Sequence, residues 1–165
     1  MPVQTSYTRN GKKGLPGLIG WDFGTADLTS VLVETDPLPF GYAVVQGTKA
    51  RTGKVGNTNV IGFACRSILS VYAINNGFTN PSQPEAYGPT EMAAIMREGY
   101  IWAVNNGGAA VGDGSQVYVN ATGQVVNSAA AGAVAVPGCR VEIGGAVGAA
   151  IFLRVQTAIP APAAP

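Results

Sequence analysis

Few residues of this chain have side chains that could carry out chemistry. It contains no histidine, nine Asp and Glu residues and two cysteines, Cys65 and Cys139. Without histidine there is no imidazole to act as general base, to ligate a metal or to orient a Ser or Cys nucleophile. Two cysteines cannot complete a tetrahedral zinc site of four cysteines, or of two cysteines and two histidines. We therefore expect no enzyme activity, no cofactor and no metal.

Two glycine-containing segments superficially resemble ligand-binding loops. Residues 47–54 suggest a phosphate-binding loop, but five residues separate the glycines where four are needed, and Val55 replaces the hydroxyl that would bind magnesium. The sequence around Asp113 suggests a calcium loop, yet one carboxylate supplies too few of the roughly 6 to 8 oxygen ligands required. We interpret the first segment as a mobile basic loop and the second as a turn.

Two further pairs of side chains could form a site only if the fold brought them together. Glu91 and Glu98 could act as an acid/base pair, although a solvated face is the simpler interpretation. Tyr100 and Trp102 could stack on a sugar or a base, although large aromatic residues in a β-rich domain are more often core or interface residues.

The charge balance and hydropathy exclude two classes of partner. Ten Lys and Arg against nine Asp and Glu give a net charge of +1, and charged residues make up 12% of the chain. Duplex nucleic acid is bound mainly through Lys and Arg, so we expect no nucleic-acid partner. No apolar stretch is long enough to span a bilayer and no secretion signal is visible, so we expect no membrane partner and interpret the cysteines as buried thiols rather than a disulfide.

The length of 165 residues predicts one domain with extensions at both ends. Residues 1–27 lack any period of 2 or 3.6 and are interpreted as an extended N-terminal arm. Residues 28–157 form a β-rich domain. Residues 158–165 contain three prolines and are interpreted as a Pro/Ala-rich tail outside the core.

Short runs rich in Val, Ile, Tyr and Phe recur every 8 to 12 residues of the β-rich domain, separated by Gly, Pro, Asn or Asp. This spacing predicts an all-β fold, a compact antiparallel β-sandwich or barrel. Alternation places Val141 and Ile143 on one face, and Ile151, Leu153 and Val155 likewise share a face. The predicted strands cover residues 29–34, 42–46, 60–65, 68–74, 100–104, 116–120, 124–127, 140–143 and 150–155.

Residues 91–97 fit two kinds of element. Thr90 could cap a helix that ends at Gly99, because the intervening residues are good helix formers. Alternatively, the segment is a strand that turns at Glu98 and Gly99 into the strand beginning at Tyr100.

Four motifs in a fixed order carry a resemblance to a known family. They are PFGYAVVQGT at residues 39–48, EGYIWAV at 98–104, VGD at 111–113 leading to VYV at 117–119, and VPG at 136–138. In this order the chain resembles the structural cement proteins, or capsid decoration proteins, of tailed phages. The similarity extends over residues 39–155, and it favours the strand interpretation of residues 91–97.

The resemblance implies a non-enzymatic virion protein, made in the host cytoplasm, that binds the outer surface of the assembled capsid and stabilises it. The implied partners are the major capsid protein and further copies of the chain, with a trimer favoured. An arm that orders on binding would suit this role, so Arg9, Lys12 and Lys13 are the predicted capsid-binding residues. The alternative is a non-enzymatic β-module that binds carbohydrate or another virion protein.

Overall fold

The computed structural model describes residues 14–20, 26–67, 69–70, 85–129 and 132–157, and over these ranges the regular structure is all β. No helix long and apolar enough to cross a membrane occurs within these ranges. The eleven strands are β1 (Asp27–Val33), β2 (Leu38–Pro39), β3 (Ala43–Gln46), β4 (Thr52–Val55), β5 (Val60–Ala64), β6 (Ala86–Tyr87), β7 (Met92–Val104), β8 (Gln116–Val119), β9 (Val125–Val126), β10 (Val134–Ile143) and β11 (Ala150–Gln156).

Nine of the strands form one sheet in the order β1-β4-β3-β5-β7-β11-β10-β8-β9. Because β1 also pairs with β7, the first five of these strands close on themselves as a barrel, and β11, β10, β8 and β9 continue the sheet from β7. The predicted all-β, barrel-like fold is confirmed. The expectation of a purely antiparallel sheet is wrong at one place, since β1 and β4 are parallel, with Leu32 opposite Thr52.

Strand β7 connects the two parts of the sheet. Its first half pairs with β1, with Leu32 opposite Met92, and its second half pairs with β11, with Ala150 opposite Val104. The helix interpretation of residues 91–97 is therefore wrong and the strand interpretation is confirmed, except that the strand does not turn at Gly99 but continues through it with φ of 133°. Pairing on both sides overrides the local helix propensity.

Two further expectations about loops are wrong. Residues 52–54, the end of the segment 47–54 interpreted as a mobile basic loop, belong to β4, which pairs with β3. The VPG motif, left outside the predicted strand at 140–143, lies inside β10. The pairing of β10 with β8 shifts register between Ala135 and Arg140, and Gly138 adopts φ of 78°. A bulge of this kind accommodates a proline within a strand. Most of the predicted strand at 68–74, and the whole tail 158–165, lie outside the described residues.

Buried side chains form two hydrophobic clusters. The smaller lies in the barrel and includes Val31, Val44 and Ile95, while the larger lies mainly under β7 to β11. Four residues predicted to share a core by alternation, Val141, Ile151, Leu153 and Val155, belong to the larger cluster. Ile143, the fifth, is only half-buried, because the β10–β11 register shifts between Val141 and Ile143.

The two cysteines are free thiols buried in the larger cluster, as predicted. Burial raises the pKa of the Cys65 thiol to about 12 and also raises the pKa of Cys139. Because the thiolate is the reactive form of cysteine, neither side chain is suited to nucleophilic chemistry in the folded protein.

Candidate functional site

Residues 14–20 lie against the second half of β7. The Gly17 N–H donates to the Trp102 carbonyl at 2.7 Å, the Trp102 N–H donates to the Leu18 carbonyl at 3.0 Å, and the Gly20 N–H donates to the Tyr100 carbonyl at 2.8 Å. Across from β7, the Gly17 carbonyl accepts from the Arg66 N–H at 2.6 Å. This part of the predicted arm is therefore fixed to the domain, and the expectation of an arm that orders on binding is wrong for residues 14–20.

Glycines at every third position allow this close approach. A Cβ at Gly14 would lie 2.3 Å from the Trp102 ring, and a Cβ at Gly20 would lie 2.4 Å from the Phe152 ring. The Phe152 ring centroid is 4.8 Å from that of Trp102 and 5.6 Å from that of Tyr100. These aromatic rings therefore form a shelf that carries the segment.

The segment contains a tight turn that exposes two leucines. The Leu18 N–H donates to the Leu15 carbonyl at 3.0 Å, with Pro16 second in the turn and Gly17 third at φ of 77°. Proline followed by a residue of positive φ is the signature of a type II turn, whose end residues have Cα atoms less than about 7 Å apart. Leu15 is 55% exposed and Leu18 is 37% exposed. The turn therefore presents two apolar side chains next to each other.

The chain beneath the turn is held by Arg66. Its guanidinium forms an ion pair with Glu85 and lies 5.5 Å from the centroid of the Phe40 ring. Leu69, three residues further along, is 81% exposed. We name Leu15 and Leu18, the two ends of this turn, the turn patch.

A second exposed apolar group lies on the barrel. Leu32 faces Met92 across the β1–β7 pair, and Leu28 lies on the same face of β1 as Leu32. All three side chains are exposed, Met92 to 60%. We name these residues the strand patch.

A groove of about 670 Å³ separates the β4–β5 connection from the start of β10. Its described lining residues carry amide, hydroxyl and aliphatic side chains, and none of these described residues is aromatic. The lining residues are Gln46, Asn57, Thr58, Asn59, Val60, Ile61, Val134, Ala135, Val136, Pro137 and Thr157.

Of the carboxylates singled out from the sequence, Glu91 and Asp113 accept hydrogen bonds that hold the fold. Glu91 accepts from the Ser70 hydroxyl at 2.6 Å and from the Gly88 N–H at 3.0 Å. Glu98 is exposed and seven residues away along an extended chain, about 23 Å at ~3.3 Å per residue, so the two carboxylates cannot share a substrate. Asp113 accepts from the Gly144 N–H at 2.7 Å, which makes its loop a structural turn.

Glu34 has the most strongly shifted carboxyl group that the structure shows. Hydrogen bonds from the Thr52 hydroxyl at 2.7 Å, the Thr48 hydroxyl at 2.8 Å and the Thr48 N–H lower its pKa from 4.5 to about 2. These donors come from the β3–β4 connection, which contains Arg51 at φ of 61°, and from the first residue of β4. The Glu34 carboxylate therefore holds this turn rather than a substrate.

Over the described ranges, no three His, Cys, Asp or Glu side chains come together as a metal site. Arg9, Lys12 and Lys13 lie outside those ranges, so their role stays a prediction. Lys13 directly precedes Gly14, the first residue of the segment 14–20 that lies against β7. Sequence reasoning missed Leu15 and Leu18, although the Pro-Gly pair between them is a turn signal.

Comparison with known proteins adds to this geometry. Among solved structures, a chain described as "The capsid of Myoviridae Phage XM1" shares the fold with a TM-score of 0.67 and 15% sequence identity, over 94% of this chain and 98% of that chain. No curated protein sequence matched. The family described as structural cement protein (E217 gp24/Pam3 gp6) matches residues 3–156. Since that match covers nearly the whole sequence, the chain belongs to the phage structural cement protein family.

Proposed function

We propose that this protein binds the outer surface of an assembled phage capsid, contacts the major capsid protein there and stabilises the shell without catalysing a reaction. The observation that carries the proposal is the family match over residues 3–156. The fold supports it, because the similar solved chain comes from a phage capsid and is covered almost end to end.

A decoration protein stabilises a shell by linkage. It must bind the assembled lattice more tightly than it binds separated subunits, and the difference in binding free energy is then added to the stability of the lattice. Many symmetric copies multiply a modest contact energy, so each contact can be weak. A chain with 12% charged residues suits this role, because charged side chains are depleted in the cores of protein interfaces.

The arm supplies an electrostatic part of the contact in this proposal. Arg9, Lys12 and Lys13 fall within five residues, and the first acidic residue of the chain is Asp22. We propose that these three cations contact an acidic region of the capsid surface. Salt should weaken that share of the affinity, because the Debye length falls from ~10 Å at 0.1 M to ~3 Å at 1 M.

Because residues 14–20 are hydrogen-bonded to β7, a deletion that tests the arm must end before Gly14. A deletion of residues 1–13 removes the three cations and keeps Gly14 to Gly20 on the aromatic shelf. A longer deletion would expose the Trp102 and Phe152 rings, and a loss of binding would then no longer be distinguishable from a loss of folding. We expect the 1–13 deletion to fold normally and to bind undecorated particles more weakly at low salt, with little difference at high salt. Equal affinity at low salt would contradict the assignment of these cations.

We also propose that the protein is a homo-oligomer, with a trimer favoured. Light scattering at micromolar concentration should give three times the mass of 16.8 kDa. A monomer both in solution and on the particle would contradict this part of the proposal.

Carbohydrate binding is the less supported alternative. The large aromatic rings that could stack on a sugar, Tyr100 and Trp102, are half-buried beside Phe152 and residues 14–20. Within the part of the chain that the structure describes, no aromatic residue lines the groove.

Adding purified protein to undecorated particles tests the proposed function. Saturable binding that raises the temperature at which the particles disrupt would support it. Absence of binding to the particles of the phage that encodes the protein would contradict it.

A further inference from the structure

The strand patch is the uncovered part of the outer face of the barrel. Along β1 this face carries Leu28, Ser30 and Leu32, all of them exposed. Met92 of β7 lies opposite Leu32 and shares the face. Four residues further along β7, Met96 has the same orientation by alternation and is fully buried in the larger hydrophobic cluster. The strand patch therefore continues a face that the protein elsewhere buries against its own strands.

The Leu28 end of the strand patch is acidic. Asp27 lies opposite Glu98 in the β1–β7 pair, and both residues are exposed. Alternation places Glu98 on the same face of β7 as Met92. Arg97 offsets part of the negative charge, because its guanidinium lies 3.8 Å from the Asp27 carboxylate.

The Leu32 end of the strand patch lies beside cations. Leu32 is opposite Thr52 of the parallel strand β4, so Lys54, two residues further along β4, projects from the same face. The exposed charged residues of the turn before β4 and of β4 itself are Lys49, Arg51 and Lys54.

Two carboxylates near the Leu32 end are already engaged within the chain. Glu34 accepts hydrogen bonds from the Thr52 and Thr48 hydroxyls. Glu91 accepts from the Ser70 hydroxyl, and alternation directs its side chain away from the face of Met92, the next residue. The β4 side of this end therefore presents positive charge, whereas the Leu28 end presents negative charge.

From this charge arrangement we propose that the strand patch binds the strand patch of a second copy of this chain about a two-fold axis, with the β1 strands of the two copies antiparallel. A two-fold contact uses the same surface on both copies. An axis across the strands brings the acidic end of each copy to the basic end of the other, whereas an axis along the strands brings like charges together. The charges therefore select the antiparallel arrangement.

The inference goes beyond the proposed function, because it does not depend on capsid binding. A two-fold contact joins copies in pairs, so it would link neighbouring oligomers rather than close a trimer. Three exposed apolar side chains form a smaller surface than the roughly 800 Å² per partner of a stable interface. We therefore expect a weak contact, which many copies held close together would strengthen.

The first experiment is cross-linking through new cysteines in the free protein, whose two native thiols are buried. Leu28 and Leu32 are four residues apart, about 13 Å at ~3.3 Å per residue, so the antiparallel contact brings Leu28 of one copy near Leu32 of the other. A short bismaleimide should join Leu28→Cys to Leu32→Cys at least tenfold faster than it joins either variant to itself. Leu15→Cys, on the turn patch, is the control for random collision. Equal rates for all pairs, faster self-linking, or no linking above the control would overturn the inference.

The second experiment reverses the charge at each end and measures association of the free protein by sedimentation equilibrium at low salt. Glu98→Lys and Lys54→Glu should each weaken association at least fivefold. An equimolar mixture of the two variants should regain it, because one then has two basic ends and the other two acidic ends. Glu142→Lys, an exposed change on β10, is the control and should have no effect. Circular dichroism establishes that each variant is folded.

The mixture is the decisive sample. A mixture as weak as its components, or single variants that associate like the unaltered protein, would overturn the inference. Neither result bears on capsid binding, and failure of the unaltered protein to bind particles would refute the proposed function while leaving this contact standing.

Discussion

Truncation of Leu153 to alanine tests the core that joins the two parts of the sheet. Leu153 is fully buried at the centre of β11, opposite Ile101 of β7 on one side and Val141 of β10 on the other. Both partners belong to the same buried cluster and are held in hydrogen-bonded strands. The cavity left by the substitution can therefore collapse only slightly.

The expected cost follows from this environment. Leu→Ala substitutions in cores lower the free energy of unfolding by about 2 to 5 kcal/mol, more where the cavity stays open. We expect Leu153→Ala to fall in the upper half of that range. At roughly 2 to 4 °C per kcal/mol for a chain of this size, the melting temperature should fall by at least about 7 °C.

Urea unfolding followed by circular dichroism, at one fixed protein concentration, measures the free energy directly. The control is Leu28→Ala, which removes the same atoms from a side chain that is 46% exposed. We expect the control to cost less than about 1 kcal/mol. Equal costs for the two variants would refute the register of β11 and the burial of Leu153.

Three further predictions concern the Gly17 turn, the hydrogen-bonded Glu34 carboxylate and the two buried thiols. Gly17→Ala should lower the unfolding free energy by more than about 1 kcal/mol because φ is 77° and the site is closed, whereas Gly108→Ala, which has no atom within 4 Å of a new Cβ, should be nearly neutral in the same urea assay. The Glu34 pKa of about 2 is below its unfolded value, so the stability that this carboxylate contributes is present in full above about pH 4.5 and is lost as the pH falls toward 2. The difference in unfolding free energy between the protein and Glu34→Gln should therefore shrink from pH 6 to pH 3, and a constant difference would contradict the assigned hydrogen bonds. Cys65 and Cys139 should react with a thiol reagent only after unfolding, and rapid reaction of the native protein would contradict their burial.

Strands with regular alternation could be predicted from the sequence. Val141, Leu153 and Val155 lie in the core as expected, because a period of two places alternate residues on one face of a sheet. Segments whose conformation depends on the strands that pair with them could not be predicted. Strand β7 contains helix-forming residues and a glycine, and it is extended because β1 and β11 pair along its length.

Only part of the candidate site could be predicted from the sequence. A lack of periodicity suggested an extended arm over the first 27 residues, but the glycines at 14, 17 and 20 lie where the backbone meets Trp102, Phe40 and Phe152. Spacing by three in a short segment gives no sign of the aromatic shelf that it contacts, because the rings come from strands about 80 to 140 residues further along. The leucines of the turn become a candidate contact only once the turn is seen to be fixed.

An electron-microscopy reconstruction of undecorated particles mixed with the purified protein tests the proposed capsid role. We expect all-β density on the outer surface of the shell, in contact with the major capsid protein. Density on the inner surface, or no density for this protein, would contradict the proposal.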